Sequence, residues 1–196
     1  MTEGDVGPMP GWARAAAGAV HAIDRICRWS GYVVAWLALG TVVLCFATVY
    51  LRYALGFGLI WLQESYIWTH VAVIVLGAGY TMMSGGFVRV DVLYTRWSDR
   101  RRAVSDMVMT LVLLVPFLWV FGAGVWTFWT ASWAADEGSL NPGGMANYWI
   151  LKATLLGFIA LIALQGAAFV LRGLLVIAGH EGFALDHGGH SADQTL

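Results

Sequence analysis

The sequence predicts an all-α membrane protein: four transmembrane helices preceded by an amphipathic interfacial helix, with N- and C-termini in the cytoplasm. Three observations carry this expectation. Apolar residues make up 59% of the 196 positions and charged ones 12%, with a mean hydropathy of +0.70. A soluble domain carries about 45–50% apolar and about 25% charged residues, so this chain has too little polar surface to cover a globule. Eleven tryptophans suit a bilayer, because indole favours the membrane–water interface. Finally, four stretches are long and apolar enough to cross a hydrocarbon core, which takes about 20 residues.

The elements follow in chain order. Residues 1–11 are rich in Gly, Pro and small residues and read as disordered. Residues 12–28 read as a surface helix. At about 100° per residue, Arg14, His21, Arg25 and Arg28 fall on one stripe, opposite Trp12, Ala16, Ala19, Val20, Ile23, Ile26 and Cys27. Such a helix lies in the membrane surface with its cations toward anionic lipid, or docks on a partner. The four-helix domain is expected over 29–176, with spans at about 29–50, 62–83, 107–130 and 148–171. The first span holds no charge, the second holds Glu64 and His70 near its start, and Lys152 sits one turn inside the fourth. Pro116 should kink the third. The first span is too long for the apolar core of a signal peptide, about 7–15 residues, and no small-residue cleavage site follows it. A disordered cytoplasmic tail is expected over 177–196.

Orientation comes from Lys and Arg outside the spans. Arg14, Arg25, Arg28, Arg89, Arg96, Arg100, Arg101, Arg102 and Arg172 make nine on one side, against Arg52 and Lys152 on the other. The loop holding Asp136 and Glu137 has no basic residue. The N-terminus, the middle loop and the C-terminus therefore face the cytoplasm.

Residues able to carry chemistry are few. Intramembrane polar groups are costly in hydrocarbon and are the default functional candidates. His70 shares a face with Gln63, Ile67, Ile74 and Gly77. Haem ligation would want a second axial His at similar depth, and the other histidines lie outside the spans, so His70 reads as an interhelical hydrogen bonder, as does Gln165. Arg52 and Glu64 flank a short turn through Gly56 and Gly58; they either form an interfacial ion pair or reach water separately. Gly77 with Gly79, Gly122 with Gly124, and the stripe Ala160, Ala163, Ala167 should let backbones approach closely.

Cys27 and Cys45 are 18 positions apart, roughly 27 Å along one helix against about 4.4–6.8 Å for a disulfide, and read as packing residues. The tail from His180 to His190 could bind a metal only adventitiously, because nothing fixes its geometry. No phosphate loop, nucleophile elbow or zinc spacing occurs, and no basic tract suits nucleic acid. Neither a catalytic centre nor a cofactor or metal site of its own is expected.

The order of local strings resembles the small membrane subunit of tripartite ATP-independent periplasmic (TRAP) transporters, the DctQ-like family. Arg52-Tyr53 ends the first span, and Trp61-Leu62-Gln63-Glu64 opens the second, similar to the family's Trp-x-x-Glu. Gly77-Ala78-Gly79-Tyr80 closes it, before Gly86-Phe87-Val88-Arg89-Val90-Asp91-Val92 and Ser98-Asp99-Arg100-Arg101-Arg102. The run from Glu137 to Gly144, then Trp149-Ile150-Leu151-Lys152-Ala153, looks like one branch of the family. Phe87 stands where the family often has His, so a role of that His does not carry over.

The resemblance implies a bacterial inner-membrane scaffold, not an enzyme. A periplasmic binding protein would deliver an organic anion, usually a carboxylate, to a large membrane subunit holding the substrate and sodium sites. The small subunit would pack against the large one. Arg52, Glu64, Asp136 and Glu137 become candidates for outer contacts, Trp61 an interfacial anchor, Arg89 with Asp91 an ordering pair in the cytoplasmic loop, and Lys152 part of the fourth span's matching string. A redox-enzyme membrane anchor would instead want paired deep histidines, and a self-contained small exporter an embedded carboxylate.

Overall fold

The computed structural model describes residues 10–86 and 97–183, and these form helices joined by short turns. Helix α1 covers Gly11–Ala54, α2 Ile60–Met83, α3 Asp99–Met109, α4 Val115–Ala134 and α5 Tyr148–Ile177. A π-helical segment, Thr110–Leu114, joins α3 to α4, so Arg100–Ala134 forms the third of four helices long and apolar enough to cross a membrane. We call the end with the 55–59 and 135–147 connections the loop end, and the other the terminal end. Helix α2 packs on α1 and α5, and α3 and α4 pack on α5.

The first two expected elements are one continuous helix of 44 residues, with no break at Trp29. Nothing in 12–28 or at the junction breaks a helix, since no Pro occurs after Pro10. The stripe given to the membrane surface is partly turned inward: Ala13, Val20 and Cys27 are buried, while Trp12 and Ile26 are exposed. The His21 and Phe183 rings meet at 5.9 Å, so this end of α1 packs beside the end of α5.

Pro116 sits just after a π-helical turn. Lacking an N–H, it cannot continue the ladder to the carbonyl four residues back. The ladder is already widened by one residue just before it: the Val115 N–H bonds to the Thr110 carbonyl, five positions back.

Close approach is real at some glycines and absent at others. A Cβ on Gly79 would stand 2.8 Å from Leu161 Cβ, and one on Gly77 3.4 Å from Val34. Gly122 is in ordinary contact only, Gly124 faces open space, and Ala160, Ala163 and Ala167 are exposed. On α5 the tight positions are Gly157, Gly166 and Gly173 instead.

Candidate functional site

The polar groups of the loop end converge on Glu64. Helix α2 begins at Ile60, so Glu64 emerges near its start, and there it is 4% exposed. Its partners come from the 135–147 loop, more than seventy residues away. Ser139 Oγ donates to Glu64 Oε1, Asn141 Nδ2 donates to the same oxygen at 3.1 Å, and the Met145 N–H donates to Oε2 at 2.6 Å. A buried carboxylate is tolerated only when its oxygens are filled with donors, and here both are.

The loop is built to present those donors. Its backbone closes on itself through Ser139 N–H to the Met145 carbonyl at 2.9 Å and Gly144 N–H to the Asn141 carbonyl at 3.0 Å. Gly143 has φ 79°, in the left-handed region that suits glycine. At Gly144 a Cβ would stand 2.3 Å from Ser139 Oγ and 2.8 Å from Glu64 Oε1, so only glycine leaves the clasp intact. Leu140, between the two clasping residues, points away and is fully exposed.

A second fastening lies alongside. Glu137, in the same loop, accepts from Lys152 Nζ, which also sits 3.9 Å from the centroid of the Phe128 ring. The Lys152 ammonium holds the Glu137 carboxyl below its usual range. The Tyr148 N–H, the first of α5, bonds to the Glu137 carbonyl at 2.7 Å. The rings of Trp126, Trp129, Trp133 and Trp149 follow one another in contact from α4 to the start of α5, with Trp133 and Trp149 edge to face at 4.3 Å.

The terminal end has its own clasp. Arg172 Nη2 of α5 bonds to Asp24 Oδ2 of α1, and Gln165 Nε2 reaches Asp24 Oδ1 at 3.4 Å. Cys27 lies beside Gln165, which is fully buried. The interhelical reading of Gln165 thus holds.

The expected pairing of Arg52 with Glu64 does not form. Glu64 turns to the distant loop, while Arg52 is exposed on the rim of a notch with Thr48, Gly58 and Gln63 and meets no acid among the described residues. Nearness in sequence suggested the pair; three donors supplied by the 135–147 loop outcompete one partly solvated cation. His70 likewise meets no other helix of this chain: it is exposed and without a partner among the described residues. Trp61 is exposed at the start of α2, and Asp136 is exposed at the end of α4 with φ 46°. Arg89 and Asp91, Phe87, most of residues 1–11 and the histidine tail beyond Phe183 lie outside the described residues. Among the described residues no cluster of His, Cys, Asp and Glu has metal-holding geometry.

Three residues of these two sites carry only faint signals in the sequence. Asp24 went unremarked although it is the lone acid in a basic segment, which is its signal. Ser139 and Asn141 were noticed as part of a string, yet their alternate spacing, which aims both at one oxygen, was not.

A family model described as tripartite ATP-independent periplasmic transporters, DctQ component, matches residues 41–176. No curated protein and no solved structure matches the chain. The matched region takes in Glu64, its loop partners and the Glu137–Lys152 pair.

Proposed function

Because the chain belongs to the DctQ family, the small membrane component of TRAP transporters, we propose that it braces a large transport subunit during sodium-coupled uptake of an organic anion. The anion is a carboxylate, delivered by a periplasmic binding protein, and the sodium ions are held by the large subunit. The loop end faces the periplasm, in keeping with the nine-to-two bias of basic residues toward the terminal end. The protein sits in the bacterial inner membrane, with Trp61 at its outer interface and Leu140 and Asp136 free to meet the arriving binding protein.

The single observation that supports a bracing role is the commitment of Glu64. A carboxylate that moved protons or ions would need to exchange partners, whereas Glu64 is filled by donors that tie α2 to the loop before α5. With Asp24 and Arg172 at the other end, the bundle is fastened at both faces of the bilayer. Such a body is suited to holding still while a partner moves.

Reconstitution tests the transport reading. The complex goes into proteoliposomes with its binding protein and the carboxylate that this protein retains on purification. We expect uptake under an inward sodium gradient and none when this chain is omitted. Uptake that persists equally under a potassium gradient would remove the sodium coupling, and full uptake without this chain would remove its role.

A further inference from the structure

Helix α2 is 24 residues long, and His70 stands about 2 Å from its midpoint at about 1.5 Å per residue. In a hydrocarbon core about 30 Å thick this is the dry centre. An imidazole exposed there, without a partner among the described residues, leaves its polar nitrogens facing lipid, which costs free energy unless another protein covers them. Ile67 and Ile74, one turn to either side, are exposed on the same face. Ile74 itself lines a groove of about 600 Å³, together with Gly77 of α2, Val34 of α1, Phe121 of α4 and Phe158 of α5. A polar group at mid-depth beside an apolar groove is what a crossing helix with one polar side chain would fit.

We infer that the large transport subunit seats a transmembrane helix along this face of α2, its apolar side chains in the groove and a hydrogen-bonding group on His70. The inference rests on the reading above that such a subunit is the partner. The face of α1 bearing Val43 points the opposite way from Val34, which meets α2, and is assigned to lipid or to no partner.

The test is photo-crosslinking in membranes of cells making the complete complex. A benzophenone side chain replaces Ile67, Ile74 or, as control, Val43, and adducts are identified by mass spectrometry. Adducts with the large TRAP subunit from positions 67 and 74 and none from 43 are expected. If the large subunit co-purifies but is captured only from position 43, the face is wrong and the partner reading stands. Adducts between two copies of this chain, or with lipid alone, also overturn the inference. If no large subunit co-purifies, the partner reading falls and the inference with it.

A second measurement isolates the imidazole. His70→Leu should release the large subunit about three- to tenfold faster in a detergent wash, with His70→Gln restoring retention. The melting of the isolated chain should not change, because His70 touches nothing that holds it together. Equal retention by His70→Leu and the native chain would remove His70 from the contact.

Discussion

Glu64 concentrates the residue-scale argument. Its two oxygens accept from Ser139, Asn141 and the Met145 N–H in a site almost closed to solvent. Removing a buried acceptor strands its donors, at about 1–3 kcal/mol. Glu64→Ala should therefore lower the melting temperature in detergent by roughly 5 °C and make the 135–147 loop more open to proteolysis. Arg52→Ala should do neither, and an equal loss at Arg52 would reinstate the discarded pair. Glu137 offers a pH test. Its folded pKa is lowered, so its contribution is complete above the unfolded value and is lost as pH falls through the lower folded one. The fluorescence of Trp133 and Trp149 should be flat from about pH 8 to about pH 5 and change only in stronger acid. Lys152→Met should move that change up, toward the ordinary carboxylate range. An unmoved midpoint would mean that Lys152 is not its cause. At this scale the sequence disclosed which residues matter better than whom they meet. Glu64, Glu137 and Lys152 stood out as polar groups at a membrane edge, but their partners depend on a loop closing over α2, which no spacing along the chain encodes.

At the scale of elements, four apolar stretches of about twenty residues pointed to four spans, and among the described residues four helices are long and apolar enough to cross a membrane. The surface helix and the first span expected on either side of Trp29 run as one helix in the structure. The change from amphipathic to wholly apolar character near Trp29 marks a change of surroundings along α1, not a break in its backbone hydrogen bonding. Glycines show the same limit. Gly79 and Gly124 look alike in sequence, each one of a pair of small residues within a span, yet one meets Leu161 and the other open space. Gly79→Ala should cost about 1–3 kcal/mol by wedging α2 from α5, whereas Gly124→Ala should leave the melting temperature unchanged. Similar effects at both positions would contradict the packing described here. The π-helical turn before Pro116 belongs to this scale too: a proline announces that a helix must adjust, and here the ladder just before it is widened over Thr110–Leu114.

The whole molecule is a bundle fastened at both ends, Glu64 to the 135–147 loop at one and Asp24 to Arg172 at the other. Its class was legible because the bilayer imposes length and apolarity on every span, a constraint stronger than any on a soluble fold. Its contacts with other chains were not legible, since lipid and a partner helix select the same apolar residues. Only a polar group out of place, such as His70, separates the two. The orientation can be checked directly: an impermeant maleimide applied from the periplasmic side should label Leu140→Cys and leave Gly182→Cys untouched. Labelling of Gly182→Cys alone would invert the topology. The most direct measurement of the central claim is gentle solubilisation of the tagged chain from its native host, with mass spectrometry and an absorption spectrum of what co-purifies. A large polytopic TRAP subunit in about equal amount, with no haem band, is the expected result. A chain that purifies alone and stable, or arrives with a Soret band, would contradict the account.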